Sequence, residues 1–430
     1  MLILYNIMLF LAAIIIAPYY LIIIIFRGKY RKSIIPKLGG GQEKIINSLK
    51  GKQRVWIHAV SVGEVTAAAP IVAALKKDNQ DIDVIFSTST ETGQEMARNL
   101  VSGVSAFIYF PLDFPFVVRK VIRQVRPDIF VMVETELWPN FLETCKNEGV
   151  KTLMVNGRIS PRSYGKYLLT GFFWKKIFNN LIAAGMISDV DASRMKTIGM
   201  PAQKIKVMGN AKYDALAAMA HPKLQQNISR RLNVKKNERF FIAGSTHPGE
   251  EEIIIEAYKS ILSLYPDFKL IIVPRHIERA PSIIELFQKN GFADIVTMKM
   301  INKGKARHNE RVVLIDVIGE LFKIYSLATI VYCGGSLVNK GGQNILEAAA
   351  WGKVIFYGPH MDDFTEEKNL LESVGCGVTV KNAKDLQGKI LQALKDPAAT
   401  KERGARGKKI VAGNKGAAAR YAAMINSYLR

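Results

Sequence analysis

Cysteine is scarce in this 430-residue chain: three residues, Cys145, Cys333 and Cys376, with no CxxC pair and no histidine beside them at ligand spacing. That pattern excludes a disulfide-stapled framework and argues against a cysteine-built metal centre. It leaves reduced, mostly buried thiols of the kind found in cytosolic proteins. Acidic residues are also few, 37 Asp and Glu against 60 Lys and Arg, so the chain carries +23. An excess of that size calls for an anionic partner: nucleic acid, a phosphorylated substrate or an acidic membrane. Several enzyme signatures are missing as well. No GxxxxGK(S/T) is present, which excludes a P-loop, and no GxGxxG opens on a strand, which argues against a dinucleotide oxidoreductase. HExxH and the GxSxG of a hydrolase elbow are absent too.

What is present begins with one long apolar run. Residues 2–26 are interrupted only by Asn6 and Pro18 among strong breakers, and Arg27, Lys29, Arg31 and Lys32 follow at once. Roughly 20 such residues span a bilayer. The positive-inside rule then predicts a single-pass anchor with a short external N-terminus and everything after Arg27 in the cytoplasm. The basic n-region and small-residue cleavage site of a signal peptide are missing.

After the anchor, short apolar runs alternate with amphipathic ones. Strands are expected at 55–60, 82–86, 106–110, 129–133, 152–156, 181–187 and 205–207, with helices between them at 65–76, 91–100, 115–126 and 139–147. The pattern resumes with strands at 239–243, 268–273, 312–315, 329–332, 354–357 and 378–380. Helices are expected there at 249–264, 280–290, 342–351 and 385–394. This spacing predicts βαβ units, and hence an α/β protein of two Rossmann-like, doubly wound domains facing a cleft. The expected domains are 1–27 (anchor), 28–220, 221–403 and a single C-terminal helix over 404–430 that finishes the second domain or braces the first. The polar, basic stretch 222–237 reads as the link.

The chemistry-bearing residues cluster at strand-to-helix turns, where open α/β sheets place their ligands. In the first half, Ser61 and Gly63 end a strand and Glu64 opens a helix, whose start favours an ionised carboxylate. Glu134 and Glu136 end a later strand, where alternation sends both to one face. Arg158 follows at the next strand end. In the second half, Gly244, Ser245 and Thr246 begin one glycine-rich turn and Arg275 and His276 stand in another. Gly341, Gly342, Asn344 and Glu347 belong to a third. Glycines let a ligand approach the backbone, free helix N–H groups hold phosphate, and an arginine can clamp the same oxygens. Three such turns in one domain point to a nucleotide pocket. A separate stretch, 162–176, mixes Arg162, Lys166, Lys175 and Lys176 with five aromatic residues, a composition suited to an anionic membrane surface.

In order along the whole chain, the stretches 58–64, 134–139, 156–160, 209–214, 244–250, 274–276, 341–347 and 357–360 resemble the 3-deoxy-D-manno-octulosonic acid (Kdo) transferases of lipopolysaccharide synthesis. The resemblance implies a GT-B glycosyltransferase that uses CMP-Kdo and a lipid A precursor (lipid IVA) at the cytoplasmic face of the inner membrane, with no nucleic-acid partner. It implies Glu64 as the base, Glu134 as a second essential carboxylate and Glu136 as its neighbour. Ser61, Gly63 and Arg158 fall on the sugar side, and Arg275, Asn344 and Glu347 around CMP. No cofactor and no protein-bound metal are expected, because helix N-termini and Arg275 would supply the charge. The family commonly carries Gly-His-Asn-Pro-Leu-Glu-Pro in the last loop, whereas this chain has Gly342-Gln343-Asn344-Ile345-Leu346-Glu347-Ala348. The competing readings are a membrane-bound GT-B enzyme using a UDP-sugar and a tethered module that binds anionic polymers.

Overall fold

Two seven-stranded sheets, all parallel, organise the chain. The first comprises β1 (Arg54–His58), β2 (Asp83–Thr88), β3 (Ala106–Tyr109), β4 (Ile129–Val133), β5 (Lys151–Gly157), β6 (Ala183–Met186) and β7 (Ile205–Val207), in the order β3-β2-β1-β4-β5-β6-β7. The computed structural model describes residues 2–27, 30–51 and 53–429. Lys29 and the side chains of Arg27 and Arg162, assigned above to basic clusters, lie outside the described residues.

The central strands are buried on both faces, and alternation sorts their side chains into two layers. Trp56, Phe130, Met132 and Met154 pack in one core, with Phe141 from the helix Pro139–Asn147. Val55, Ile57, Val131, Val133 and Leu153 pack in the other, against Ala67, Ala68 and Ile71.

The second sheet comprises β8 (Phe240–Thr246), β9 (Lys269–Pro274), β10 (Ile295–Thr297), β11 (Val312–Leu314), β12 (Ile330–Cys333), β13 (Ile355–Tyr357) and β14 (Gly377–Thr379). Its order is β10-β11-β9-β8-β12-β13-β14. β10 was not anticipated: it runs straight into the helix Met298–Asn302, which Thr297 caps, so no turn residue marks its end. Close approach between strand ends is enforced by glycine. A Cβ on Gly358 would lie 2.1 Å from the Ser336 carbonyl oxygen, and one on Gly334 would lie 2.4 Å from that of Ser245.

Contacts divide the chain into two compact units, residues up to 215 together with 414 onward, and residues 216–413. The stretch read as a link carries a helix, Pro222–Arg231, begun by His221 as N-cap and Pro222 at the first turn. The single helix expected over 404–430 is two, Pro397–Gly413 and Ala417–Leu429, broken where Gly416 takes φ +95°. The break sends Tyr421, Ala422 and Ile425 into the first unit's core. Asp214 fastens this return: Oδ1 accepts from Gly416 N at 2.7 Å and Oδ2 from Ala418 N at 3.2 Å.

The apolar segment forms one helix, Leu2–Arg27, of which the 25 residues Leu2–Phe26, with an 18-residue stretch of mean hydropathy 2.8, are long and apolar enough to cross a membrane. Its first turns contact the first unit. The Tyr5 hydroxyl donates to Asp113 Oδ2 at 2.9 Å, and Asn140 Nδ2 donates to Asn6 Oδ1 at 2.6 Å.

Asp214→Ala removes the cap of the returning helix and should cost about 1 to 2 kcal/mol. Chemical denaturation of the detergent-solubilised protein measures it. An unchanged midpoint would mean that the apolar face alone holds the helix.

Candidate active site

The first sheet reverses its strand order once and the second twice, and the central reversal of each carries the polar residues. In the first unit the reversal lies between β1 and β4, paired from Val55–Ile129 to His58–Met132. Ligands of open α/β sheets bind outside the carboxyl ends of strands at such a point.

Ser61 caps the helix Val62–Asp78 and Glu64 stands three residues on, the spacing of a capping box. The Glu64 carboxylate accepts from Val60 N at 2.7 Å and from the Ser61 hydroxyl at 2.8 Å. The sequence led to an ionised group favoured by the helix start. Tertiary burial opposes that: desolvation and the charge of Glu134 raise the Glu64 pKa, against the pull of these two hydrogen bonds and of Lys212.

Glu134 does not continue the strand alternation. β4 ends at Val133, and Glu134 turns at φ +60°, a conformation that costs a non-glycine residue free energy. Its Oε1 meets Lys212 Nζ at 2.7 Å, both side chains being mostly shielded. Glu136 is pushed up to about 7 by burial and by Glu64, partly countered by the Trp138 indole N–H, with Glu134 adding to the rise. Three carboxylates therefore influence one another beside a single lysine. Gly63 lies against that lysine, its Cβ position 3.9 Å from Lys212 Nζ. Arg158 is half-buried at the end of β5, where its carbonyl accepts from the Thr135 hydroxyl. Buried Asn156 accepts from Ala211 N at 2.9 Å and so sets the position of Lys212. A cavity of about 670 Å³ in this unit lies elsewhere, beside Arg54, Arg126 and Asp128 at the amino ends of the strands.

In the second unit the central reversal lies between β8 and β12. There the fully buried Glu250 ties the loops together. Its Oε1 accepts from Tyr332 Oη (2.7 Å), Ser336 N (3.1 Å) and Leu337 N (3.1 Å), and its Oε2 from His247 N (3.0 Å) and Gly335 N (2.7 Å). The backbone N–H groups of 335–337 are thus taken by a carboxylate of the protein itself. The helix expected over 342–351 is only Leu346–Ala350. Glycine conformations at Gly341 (φ +82°) and Gly342 (φ +78°) delay its start, and a Cβ on Gly342 would strike Met361 Sδ at 2.4 Å.

The other expected residues gather on these loops. Ser245 takes φ +56°, and a Cβ on Gly244 would collide with the Tyr325 hydroxyl. The Thr246 hydroxyl is committed to Glu251 at 2.8 Å, which also binds Arg279 through both oxygens. Arg275 and His276 are exposed, and the Arg275 guanidinium forms no ion pair among the described residues. Asn344 Nδ2 donates to Glu347 Oε1 at 3.3 Å, and burial pushes the Glu347 carboxyl up to about 7. His247 joins this group. Its Nε2 is buried with no hydrogen-bond partner among the described residues, and its ring centroid lies 5.8 Å from that of His276. Burial lowers its pKa, opposed by Glu250 and reinforced by His276, Arg275 and Lys340. The exposed edge of this site is cationic.

Comparison with known proteins decides the family. The family described as 3-deoxy-D-manno-octulosonic-acid transferase (kdotransferase) matches residues 35–215. A 3-deoxy-D-manno-octulosonic acid transferase of Haemophilus influenzae is 34% identical over 385 residues, 88% of this chain and 87% of its own length. The chain belongs to the Kdo transferase family. A second transferase of that name, from Aquifex aeolicus, is 30% identical over 81% of this chain and 88% of its own. Among solved structures, a UDP-GlcNAc 2-epimerase of Neisseria meningitidis bound to UDP-GlcNAc overlays with a TM-score of 0.62 at 14% identity. It covers 88% of this chain and 99% of that one, a likeness of fold. This Kdo transferase family member is thus a glycosyltransferase with the two parallel sheets of the GT-B type.

Sequence reasoning left Lys212, His247 and Glu250 out of the site, although each stands in a motif stretch. Their roles depend on partners remote in the chain. Two Asp-x-Asp spacings also occur, at 81–83 and 189–191. Asp83 accepts from Gly51 N at 2.6 Å, and Asp191 from Ile159 N at 2.7 Å and the Ser188 hydroxyl at 2.6 Å.

Glu250→Gln is not a silent isostere here. Either orientation turns the amide NH2 toward at least two donors, so the change should cost about 3 kcal/mol or more. Denaturant titration checks this, and a stability equal to wild type would contradict the five-bond arrangement.

Proposed function

We propose that the chain transfers Kdo from CMP-Kdo to a hydroxyl of a lipid A precursor (lipid IVA), with inversion, at the cytoplasmic face of the inner membrane. The observation that carries this reading is Glu64: a buried carboxylate at the β1/β4 reversal, raised in pKa and accompanied by Glu134, Glu136 and Lys212. A carboxyl made more basic by burial is a better general base than an exposed one, provided that it is ionised at the working pH.

In the proposed step Glu64 takes the proton of a glucosamine hydroxyl as that oxygen bonds to the anomeric carbon of Kdo. The bond from that carbon to the CMP phosphate oxygen breaks, and the electron pair leaves with the phosphate. Arg275, His276 and Lys340 offset the charge that develops there. Glu134, held by Lys212, and Glu136 orient the sugars beside Ser61, Gly63 and Arg158. Asn344 and Glu347 face the nucleoside. In this reading the protein's own cations supply the charge and no divalent ion is bound. The apolar helix and the exposed Lys166, Lys175 and Lys176 hold the enzyme on an anionic membrane.

Glu64→Gln should lower transfer at least about a hundredfold while CMP-Kdo binding survives, as read by mass spectrometry of the lipid and by calorimetry. Near-normal turnover would end the assignment. CMP should inhibit where UDP does not.

The pH dependence has a defined sign. The base works only when ionised, so activity falls as pH drops through its raised pKa. Lys212→Met removes the neighbouring cation that lowers the Glu64 pKa, and the acid limb of the rate profile should move to higher pH. Lys212→Arg should restore most of it, and an unmoved limb would exclude Lys212 from the site's electrostatics.

A further inference from the structure

The first half of the apolar helix Leu2–Arg27 carries two polar side chains, Tyr5 and Asn6, and both are bound to the first unit. Their partners are firmly held. Asp113 is buried and accepts from Asn140 N at 3.1 Å and Phe141 N at 2.8 Å, and so caps the helix Pro139–Asn147. Asn140 Nδ2 also donates to the Asp113 carbonyl at 2.5 Å. Aromatic contacts extend the clamp: Tyr5 with Phe173 at 6.3 Å between centroids, and Phe10 with Phe114 at 5.2 Å. Leu2, Tyr5, Asn6, Leu9 and Ala13 are half-covered, the spacing of one helical face, while the positions between them are exposed. Residues 14–20 are exposed, Ile14 at 70% and Ile15 at 76%, as are Ile22, Ile25 and Phe26, while Ile23 and Ile24 are half-covered.

A helix of 26 residues is roughly 39 Å long, enough to cross a hydrocarbon core of roughly 30 Å. Crossing would carry Asn6 to the side opposite Arg27 and away from Asp113 and Asn140. The broken contacts would leave a buried carboxylate and a buried amide short of partners, which opposes crossing.

We propose that the helix Leu2–Arg27 is a monotopic anchor. Its first half is clamped to the first unit through Tyr5–Asp113 and Asn6–Asn140, its second half lies in the interface of an anionic bilayer with its apolar side chains in the hydrocarbon, and both ends stay on the side of the globular units. This replaces the external N-terminus that the positive-inside rule predicts. The surface around the clamp fits that partner. Phe116 (65%) and Phe172 (68%) are exposed, Phe116 against the ring of Phe114 and Phe172 next in the chain to Phe173, and Lys175 and Lys176 follow Phe172 by one turn of the same helix, exposed to meet lipid phosphates. The same face leads to the carboxylates, since the charge of Glu136 reaches Tyr167 on the helix Pro161–Leu169. The inference rests on the membrane reading above, and not on which donor or acceptor is used.

The test uses the full chain in bacterial inner-membrane vesicles. With Asn6→Cys and Asn140→Cys together, copper-phenanthroline oxidation should join positions 6 and 140 in most molecules, as read by mass spectrometry. The native Cys145, Cys333 and Cys376 are buried and do not compete. On the otherwise unaltered chain, a hydrophilic N-terminal tag should be cut by protease from the cytoplasmic face only. This measurement stands even if the cysteine pair fails to fold. Cross-linking no greater than that of a distant pair, Asn6→Cys with Ser48→Cys, or cleavage of the tag from the opposite face, overturns the proposal. Recovery of the protein in the soluble fraction would instead contradict the membrane reading itself.

Discussion

A parallel sheet covered on both faces has no room for unpaired charge along its strands. Its polar residues are driven to the carboxyl ends, and the point where strand order reverses is where neighbouring loops part and admit a ligand. Both sheets of this chain obey that constraint. Glu64, Glu134 and Glu136 stand at the β1/β4 reversal, and the glycine-rich loops stand at the β8/β12 reversal. Where the chemistry is placed follows from how the strands are buried.

The two reversals meet the cost of buried charge in opposite ways. In the first unit three carboxylates gather near one lysine that pairs with Glu134, and burial with like charge leaves Glu64 and Glu136 unusually basic. In the second, Glu250 is fully satisfied by four backbone N–H groups and a tyrosine hydroxyl. It is therefore structural, and the exposed side chains of Arg275, His276 and Lys340 remain on these loops.

Much of the framework was legible in order along the chain. Thirteen strands were expected and each appears, because buried parallel strands are short apolar runs bounded by turn residues. The helices Glu91–Leu100 and Pro139–Asn147 fell where Thr90 and Pro139 signal a start. The misreadings share a cause. The helix after Gly342 was placed too early because Gly341 and Gly342 adopt positive φ, and the C-terminal helix was read through the break at Gly416.

By itself the sequence determined the fold class, the succession of elements and the stretches that hold the polar residues, since each rests on neighbours within a turn or a strand. Only the tertiary structure decided what those residues can do. Lys212 finds Glu134 across 78 positions, Glu250 reaches Gly335 across 85, and Tyr5 reaches Asp113 across 108. A carboxylate's basicity, a loop's free donors and the course of an apolar helix are set by such distant partners and by the water they exclude. No local pattern encodes either.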